Sequence, residues 1–255
     1  MGIFASFRNG FRYTYRLIWV VGLWWLFQTV AVFMGAAGFG IPGITDQIAA
    51  FFHQAGRFAR VLWEIFSGGC FLLLLGGTLG TLQAFVRTGK AEWKDFVWGL
   101  RWWFGWLLLC AAISVPVSLG IGYAGTVLMK GRDPLWGWVI VPLLGILSMF
   151  WYAGAFFFAP VLAEWEGNLR MALRNFLCFL KERWAGALGL VFLMMFSIFF
   201  GGTWALGFGP FGRFSMGEGS VWQLYVWVLA FSLGMAYVSL WAIAVLYLYG
   251  AQKSP

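Results

Sequence analysis

The sequence is poor in the residues that most chemistry needs. It has one histidine (His53), three cysteines and nine acidic residues, and charged residues of both signs make up only 10% of its 255 positions. We place His53 outside the bilayer core, which removes bis-histidine haem, a histidine-bearing triad within the membrane and His-rich zinc sites. Cys70, Cys110 and Cys178 lie far apart in apolar or amphipathic stretches and form no CxxC pair, so they outline neither a disulfide frame nor a metal site. No GxxxxGK[ST] motif is present, so any use of ATP needs another chain. The sequence points to no cofactor. It also lacks any polar stretch long enough to build a domain outside a membrane.

Apolar sequence fills that space. Hydrophobic residues make up 62% of the chain and aromatic residues 21%, with 18 Trp and 28 Phe. Mean hydropathy is +0.83, far above the range of soluble domains. Fold class follows: an all-α, polytopic integral membrane bundle, read as a single transmembrane domain over 1–255. Six apolar runs are long enough to cross a bilayer. They lie at about 17–37, 62–85, 104–128, 136–158, 184–208 and 221–249. A cleaved leader would also begin with arginines before an apolar run. The first run is about twice the usual leader length, so it is expected to be a retained span.

Charge sits between the runs. The formal net charge is +8, yet the 17 basic residues are spread over short connectors and do not form one basic module, which argues against nucleic-acid binding. With both termini placed in the cytoplasm, 12 basic residues fall on inner segments and five on outer ones, as the positive-inside rule requires. Trp102, Trp103, Trp136, Trp138, Trp184 and Trp222 stand near the expected span edges as an aromatic belt.

Three inner segments have helical amphipathic spacing and are expected to lie along the headgroup layer. In the first, Phe4, Phe7, Phe11 and Tyr15 alternate with Arg8, Arg12 and Arg16. In the second, Trp93, Phe96, Val97, Leu100 and Trp103 repeat among Lys94 and Arg101. The third lies within 159–186, where Leu169, Ala172, Leu173, Phe176, Leu177 and Leu180 form one face and Arg170, Arg174 and Lys181 another. A further surface helix on the outer side is expected where Thr45 and Asp46 cap a stretch carrying Ile48, Phe51, Phe52 and His53 toward Arg57 and Arg60. Because each inner surface helix precedes a hairpin of two crossings, the chain divides into 1–86, 87–165 and 166–255. A threefold repeat and the ordinary amphipathicity of basic, Trp-bearing loops explain this division equally well.

Within the spans, Gly69, Gly76 and Gly80 recur at i, i+7 and i+11, and Gly76 to Gly80 is a GxxxG suited to close helix packing within the chain. Pro116 is expected to kink the third span unless Ser114 or a neighbour compensates. No ionisable residue lies near the middle of a span. Glu64 comes nearest, and is best placed to pair with Arg57 or Arg60. Glu92, Asp95, Glu164 and Glu166 lie at interfaces, where they balance Lys94, Arg101 and Arg170.

One stretch carries a resemblance. At 158–187, Pro160 and the pair Leu162-Ala163 are followed by Glu164, and then by Ala172, Leu173, Arg174 and Asn175 of an "ALRNxLxxL" surface helix. This pattern, with the helix entry at Asp95 and Phe96, resembles the YesL-like family of bacterial six-span membrane proteins. It is more distantly similar to the membrane domain attached to some glycerophosphodiester phosphodiesterases. The resemblance covers about a quarter of the chain. It implies an architecture and a bacterial inner membrane, but no reaction. The chain departs from the family in the longer segment between its first two spans.

The expected function is that of a non-enzymatic membrane subunit or accessory protein. It would bind membrane lipid or a protein partner through its cytoplasmic helices, with Lys94, Arg101, Arg170, Arg174 and Lys181 holding phosphate headgroups or an acidic partner. Plain topology anchoring would use each of these residues equally well. The alternative is the membrane-spanning permease subunit of an ABC-type exporter, docked on a separate ATPase through the helices at 93–103 and 168–183. A lipid enzyme within the membrane would have to rely on Glu64, Glu164 and Glu166.

Overall fold

The computed structural model describes residues 3–38, 45–130 and 221–250, with isolated positions between 140 and 189; over residues 31–38 and 45–60 only the backbone is described. Among these residues the structure is helical apart from Leu17, the turn at 89–92 and Lys130, with no strand. Five helices are continuous: α1 (Ile3–Arg16), α2 (Ile18–Gly38), α3 (Thr45–Thr88), α4 (Trp93–Met129) and α5 (Val221–Gly250). Three stretches are long and apolar enough to cross a membrane: Val61–Thr88, Trp93–Met129 and Val228–Tyr249. These correspond to the second, third and sixth expected crossings. The described apolar stretch of α2, Ile18–Val30, is shorter. Three spans, not six, are therefore met among the described residues. Most of the fourth and fifth expected crossings, the outer loop at 209–220 and the side chains of Phe4, Phe7, His53, Arg57, Arg60 and Glu64 lie outside them.

The sequence reading placed two boundaries that the backbone does not observe. α3 joins the expected outer surface helix to the second crossing as one helix of 44 residues, about 66 Å long at 1.5 Å per residue. No proline interrupts residues 45–88, and their glycines leave the backbone hydrogen bonds intact. Likewise the expected surface helix at 93–103 is not a separate element. It forms the first three turns of α4, a helix of 37 residues that continues through Pro116. Ser114, two residues before that proline, accepts a hydrogen bond from Trp151 Nε1 at 3.0 Å. Both helices exceed the roughly 30 Å hydrocarbon layer and must project beyond it.

A four-residue turn joins α3 to α4, and its sequence accounts for its shape. Gly89 has φ +72°, the left-handed conformation that ends helices at little cost for glycine, and its N–H donates to Phe85 O at 2.8 Å. α4 then opens at Glu92, whose backbone N–H donates to the Asp95 carboxylate at 2.7 Å, the reach-back bond of a capping box. The two helices return against each other along a glycine seam. A Cβ placed on Gly80 would stand 2.5 Å from Asp95 O and 2.6 Å from the Gly99 Cα, and one on Gly77 would collide with the Phe96 ring. Gly76 faces Gly99 and Trp103 in the same seam.

In lipid the hydrophobic effect does not press helices together, so close approach and buried polar bonds must hold them. The bundle has both. Trp24 Nε1 donates to Thr78 Oγ1 at 2.9 Å, and Thr78 donates on to Leu74 O at 2.7 Å. Tyr13 OH meets Thr81 Oγ1 at 2.5 Å. Because the Thr81 hydroxyl itself donates to Thr78 O at 2.8 Å, Tyr13 is the donor of that pair. α5 closes the other side of α2, with Trp25 Nε1 donating to Leu229 O at 3.0 Å and Thr29 bonded to Ser232 at 2.7 Å. Trp24, Trp103, Tyr13, Leu82 and Leu240 are fully buried in the resulting core.

α1 departs from the flat surface helix that its spacing suggests. Its buried stripe is Ser6, Gly10, Tyr13 and Thr14, leading into Leu17, while Phe11 and Tyr15 are exposed. The reason is steric. Gly10 lies against Val245 and Trp241 of α5, an approach that a larger residue at position 10 would prevent. α1 is packed on helices along its small and hydroxyl-bearing side and presents aromatic and basic side chains outward.

Candidate functional site

Three connections bring the basic residues of α1, α3 and α4 to one end of the bundle. Tyr13 reaches Thr81 and stacks edge-on with Phe85, which sets α1 against the last turns of α3. The glycine seam and short turn hold the start of α4 beside the same turns. Trp19 of α2 packs on Trp93 and Phe96 with ring centroids 5.4 and 5.6 Å apart, so the start of α2 lies there too. Arg8, Arg12, Arg16, Arg87, Lys90, Lys94 and Arg101 are all exposed at this end.

Within this cluster α4 presents an ordered stripe. Lys94, Trp98, Arg101 and Trp102 fall at i, i+4, i+7 and i+8, one face of the helix, and all four are exposed. The rings of Trp98 and Trp102 stack with centroids 5.7 Å apart and planes at 12°. Cations beside flat amphipathic rings suit the zone between headgroups and hydrocarbon. The opposite face of the same turns is committed to protein: Phe96 and Trp103 are buried against α3, and Trp93 stacks on Phe96 at 5.2 Å. This is the apolar face that spacing identified, turned toward neighbouring helices rather than toward lipid.

Acidic residues at this end serve the helix start. Lys94 Nζ lies 2.9 Å from Glu92 Oε2 with both side chains in solvent, and that hydrogen bond and charge hold the Glu92 carboxyl below the usual carboxylate range. Asp95 is used as the reach-back cap. Glu92 thus balances Lys94 as expected, whereas Asp95 caps the helix start. Among the described residues no group of three His, Cys, Asp or Glu side chains is placed to hold a metal ion. The cysteines are free, with Cys70 and Cys110 half-buried and Cys178 exposed.

The other candidate residues fall in two groups. Arg170, Arg174 and Lys181 are helical and exposed, and they share a stripe with Leu177, which is 63% exposed and so does not belong to a buried apolar face. No contact among the described residues ties them to the cluster on α1 and α4, and Leu169, Ala172, Leu173, Phe176 and Leu180 lie outside the described residues. Of the three packing glycines, Gly76 and Gly80 form the α3–α4 seam. Gly69 takes no part, because nothing described lies within 4 Å of a Cβ built there. It lies some three turns from Gly80, beyond the stretch over which the two helix backbones touch.

Sequence reasoning missed two features. Trp98 completes the exposed stripe, and its spacing of four from both Lys94 and Trp102 was the available signal. Thr78 and Thr81 anchor α1 and α2; hydroxyls inside an apolar span are the usual sign of such contacts.

An apolar crevice of about 410 Å³ opens between α2, α3 and the start of α4, with Leu26, Phe27, Phe66, Cys70 and Leu100 among its walls. It offers shape and hydrocarbon, and no carboxylate, histidine or lysine lines it. Comparison of the chain with protein-family models, with curated proteins and with solved structures finds no match in any of the three.

Proposed function

We propose that this chain is a non-enzymatic integral membrane protein whose basic end lies in the headgroup layer of the cytoplasmic leaflet and binds anionic lipid there. The gathering of seven basic side chains from α1, α3 and α4 at one end of an apolar bundle carries this reading. Each Lys or Arg near an anionic membrane surface contributes on the order of 1 kcal/mol, so a cluster of this size distinguishes leaflets and lipid types. The stripe of Lys94, Trp98, Arg101 and Trp102 supports it, since stacked indoles fix depth while cations meet phosphate. A bacterial inner membrane fits the resemblance at 158–187, and the positive-inside rule places both termini in the cytoplasm.

The test is lipid selectivity. The full chain is reconstituted in nanodiscs of phosphatidylcholine with graded phosphatidylglycerol, and energy transfer from Trp to dansyl-labelled lipid of each type is compared. Preferential transfer to the anionic lipid, falling as salt is raised and reduced in Lys94→Gln/Arg101→Gln, is the expected result. Equal transfer to both lipids at low salt would remove the proposal.

A further inference from the structure

A second cavity lies at the basic end, and no residue of α4 lines it. It occupies about 400 Å³ between α1, the end of α3 and the end of α5, and is lined by Asn9, Arg12, Arg16, Phe85, Val86 and Leu248. That volume falls in the usual range of small-molecule sites, roughly 300–1,000 Å³.

Its walls differ in kind. Asn9, Arg12 and Arg16 follow one stripe of α1 at i, i+3 and i+7, so two guanidinium groups stand one helical turn apart on the same wall. Like charges at this spacing repel, and among the described residues neither arginine has a carboxylate partner. An anion between them relieves that repulsion, and a phosphate oxygen pair suits the planar fork of each guanidinium. The facing wall of Phe85, Val86 and Leu248 is apolar and belongs to two helices that continue into the hydrocarbon layer. A free phosphate ion gains nothing from such a wall. A phospholipid does, because its glycerol and first methylenes follow its phosphate in that direction.

We infer that this cavity is a seat for the phosphate group of one anionic phospholipid, gripped by Arg12 and Arg16 and backed by Phe85, Val86 and Leu248. The inference rests on the reading that this end lies in the headgroup layer, and adds a defined site to a general preference for anionic lipid. The site shares no lining residue with the α4 stripe.

The experiment is native mass spectrometry of the full-length protein in mild detergent, titrated with phosphatidylglycerol, with phosphatidylcholine and with inorganic phosphate. The wild-type protein is expected to hold one phosphatidylglycerol more tightly than any further lipid, with inorganic phosphate unable to displace it. Arg12→Gln/Arg16→Gln should weaken that one site about 30-fold, while Lys94→Gln/Arg101→Gln leaves it unchanged. Val86→Trp keeps both arginines and fills the cavity, and should also lose the bound lipid, which separates loss of the seat from misfolding of the arginine variant. Retention of the tight lipid in either cavity variant, or its displacement by inorganic phosphate, overturns the inference. If Lys94→Gln/Arg101→Gln alone abolishes anionic preference, the seat is refuted and the general reading stands. If no form of the protein prefers phosphatidylglycerol, both fall.

Discussion

Thr78 shows how much of this bundle depends on single hydroxyl groups. It accepts from Trp24, donates to its own helix and offers its carbonyl to Thr81, which in turn holds Tyr13. Thr78→Val keeps the shape and leaves the buried Trp24 N–H without an acceptor, so a loss of about 0.6–2 kcal/mol is expected in denaturant or thermal unfolding in detergent. Trp24→Phe in the same chain removes the orphaned donor and should recover part of that loss; strict additivity of the two changes would mean that the bond contributes nothing. Gly80 gives a second residue-scale test. Gly80→Ala forces a methyl into the Asp95 and Gly99 backbone and should cost roughly 1–3 kcal/mol, whereas Gly69→Ala meets no neighbour and should be neutral or slightly stabilising. Equal effects at the two positions would contradict the seam. The GxxxG spacing made Gly76 and Gly80 readable beforehand, while Gly69 shares the periodicity but not the proximity. Spacing along one helix carries no information about where the partner backbone ends.

At the level of elements, three of the six expected crossings coincide with long apolar helices among the described residues, and two expected boundaries do not appear. The expected surface helices at 45–60 and 93–103 are helical, but nothing in those residues breaks the helix before the span begins. Amphipathicity changes gradually along α4, and the backbone hydrogen bonds do not follow it. α1 packs on α5 through its small residues, which permit the closest approach, and leaves Phe11 and Tyr15 exposed. The start of α4 offers a pH test. Glu92 has its carboxyl pKa lowered by the hydrogen bond and charge of Lys94, so the contact is present above the usual carboxylate range and is lost as pH falls through the lowered value. Lys94→Gln should raise the Glu92 titration, followed by carboxyl NMR, back toward the ordinary range; an unchanged midpoint would show that the pair does not form in solution. Because both side chains are solvated, high salt should produce the same shift in the wild-type chain.

At the scale of the whole molecule, polarity is sorted among the described residues: α1, the end of α3 and the start of α4 gather seven arginines and lysines, and the long apolar helices run away from them. Composition made a membrane bundle readable, since a chain with so few charges has no alternative means of burying its aromatic residues. What it could not give is which connectors share an end, because that depends on contacts between residues as distant as Tyr13 and Thr81. The most direct test is side-specific labelling of single cysteines, in a chain whose three native cysteines are replaced, with an impermeant maleimide in sealed vesicles of known orientation. Lys90→Cys should react only from the cytoplasmic side, Lys130→Cys only from the opposite side, and Ile113→Cys, between them on α4, from neither. Labelling of Lys90→Cys and Lys130→Cys from the same side, or of Ile113→Cys as readily as the two ends, would show that α4 does not cross the membrane.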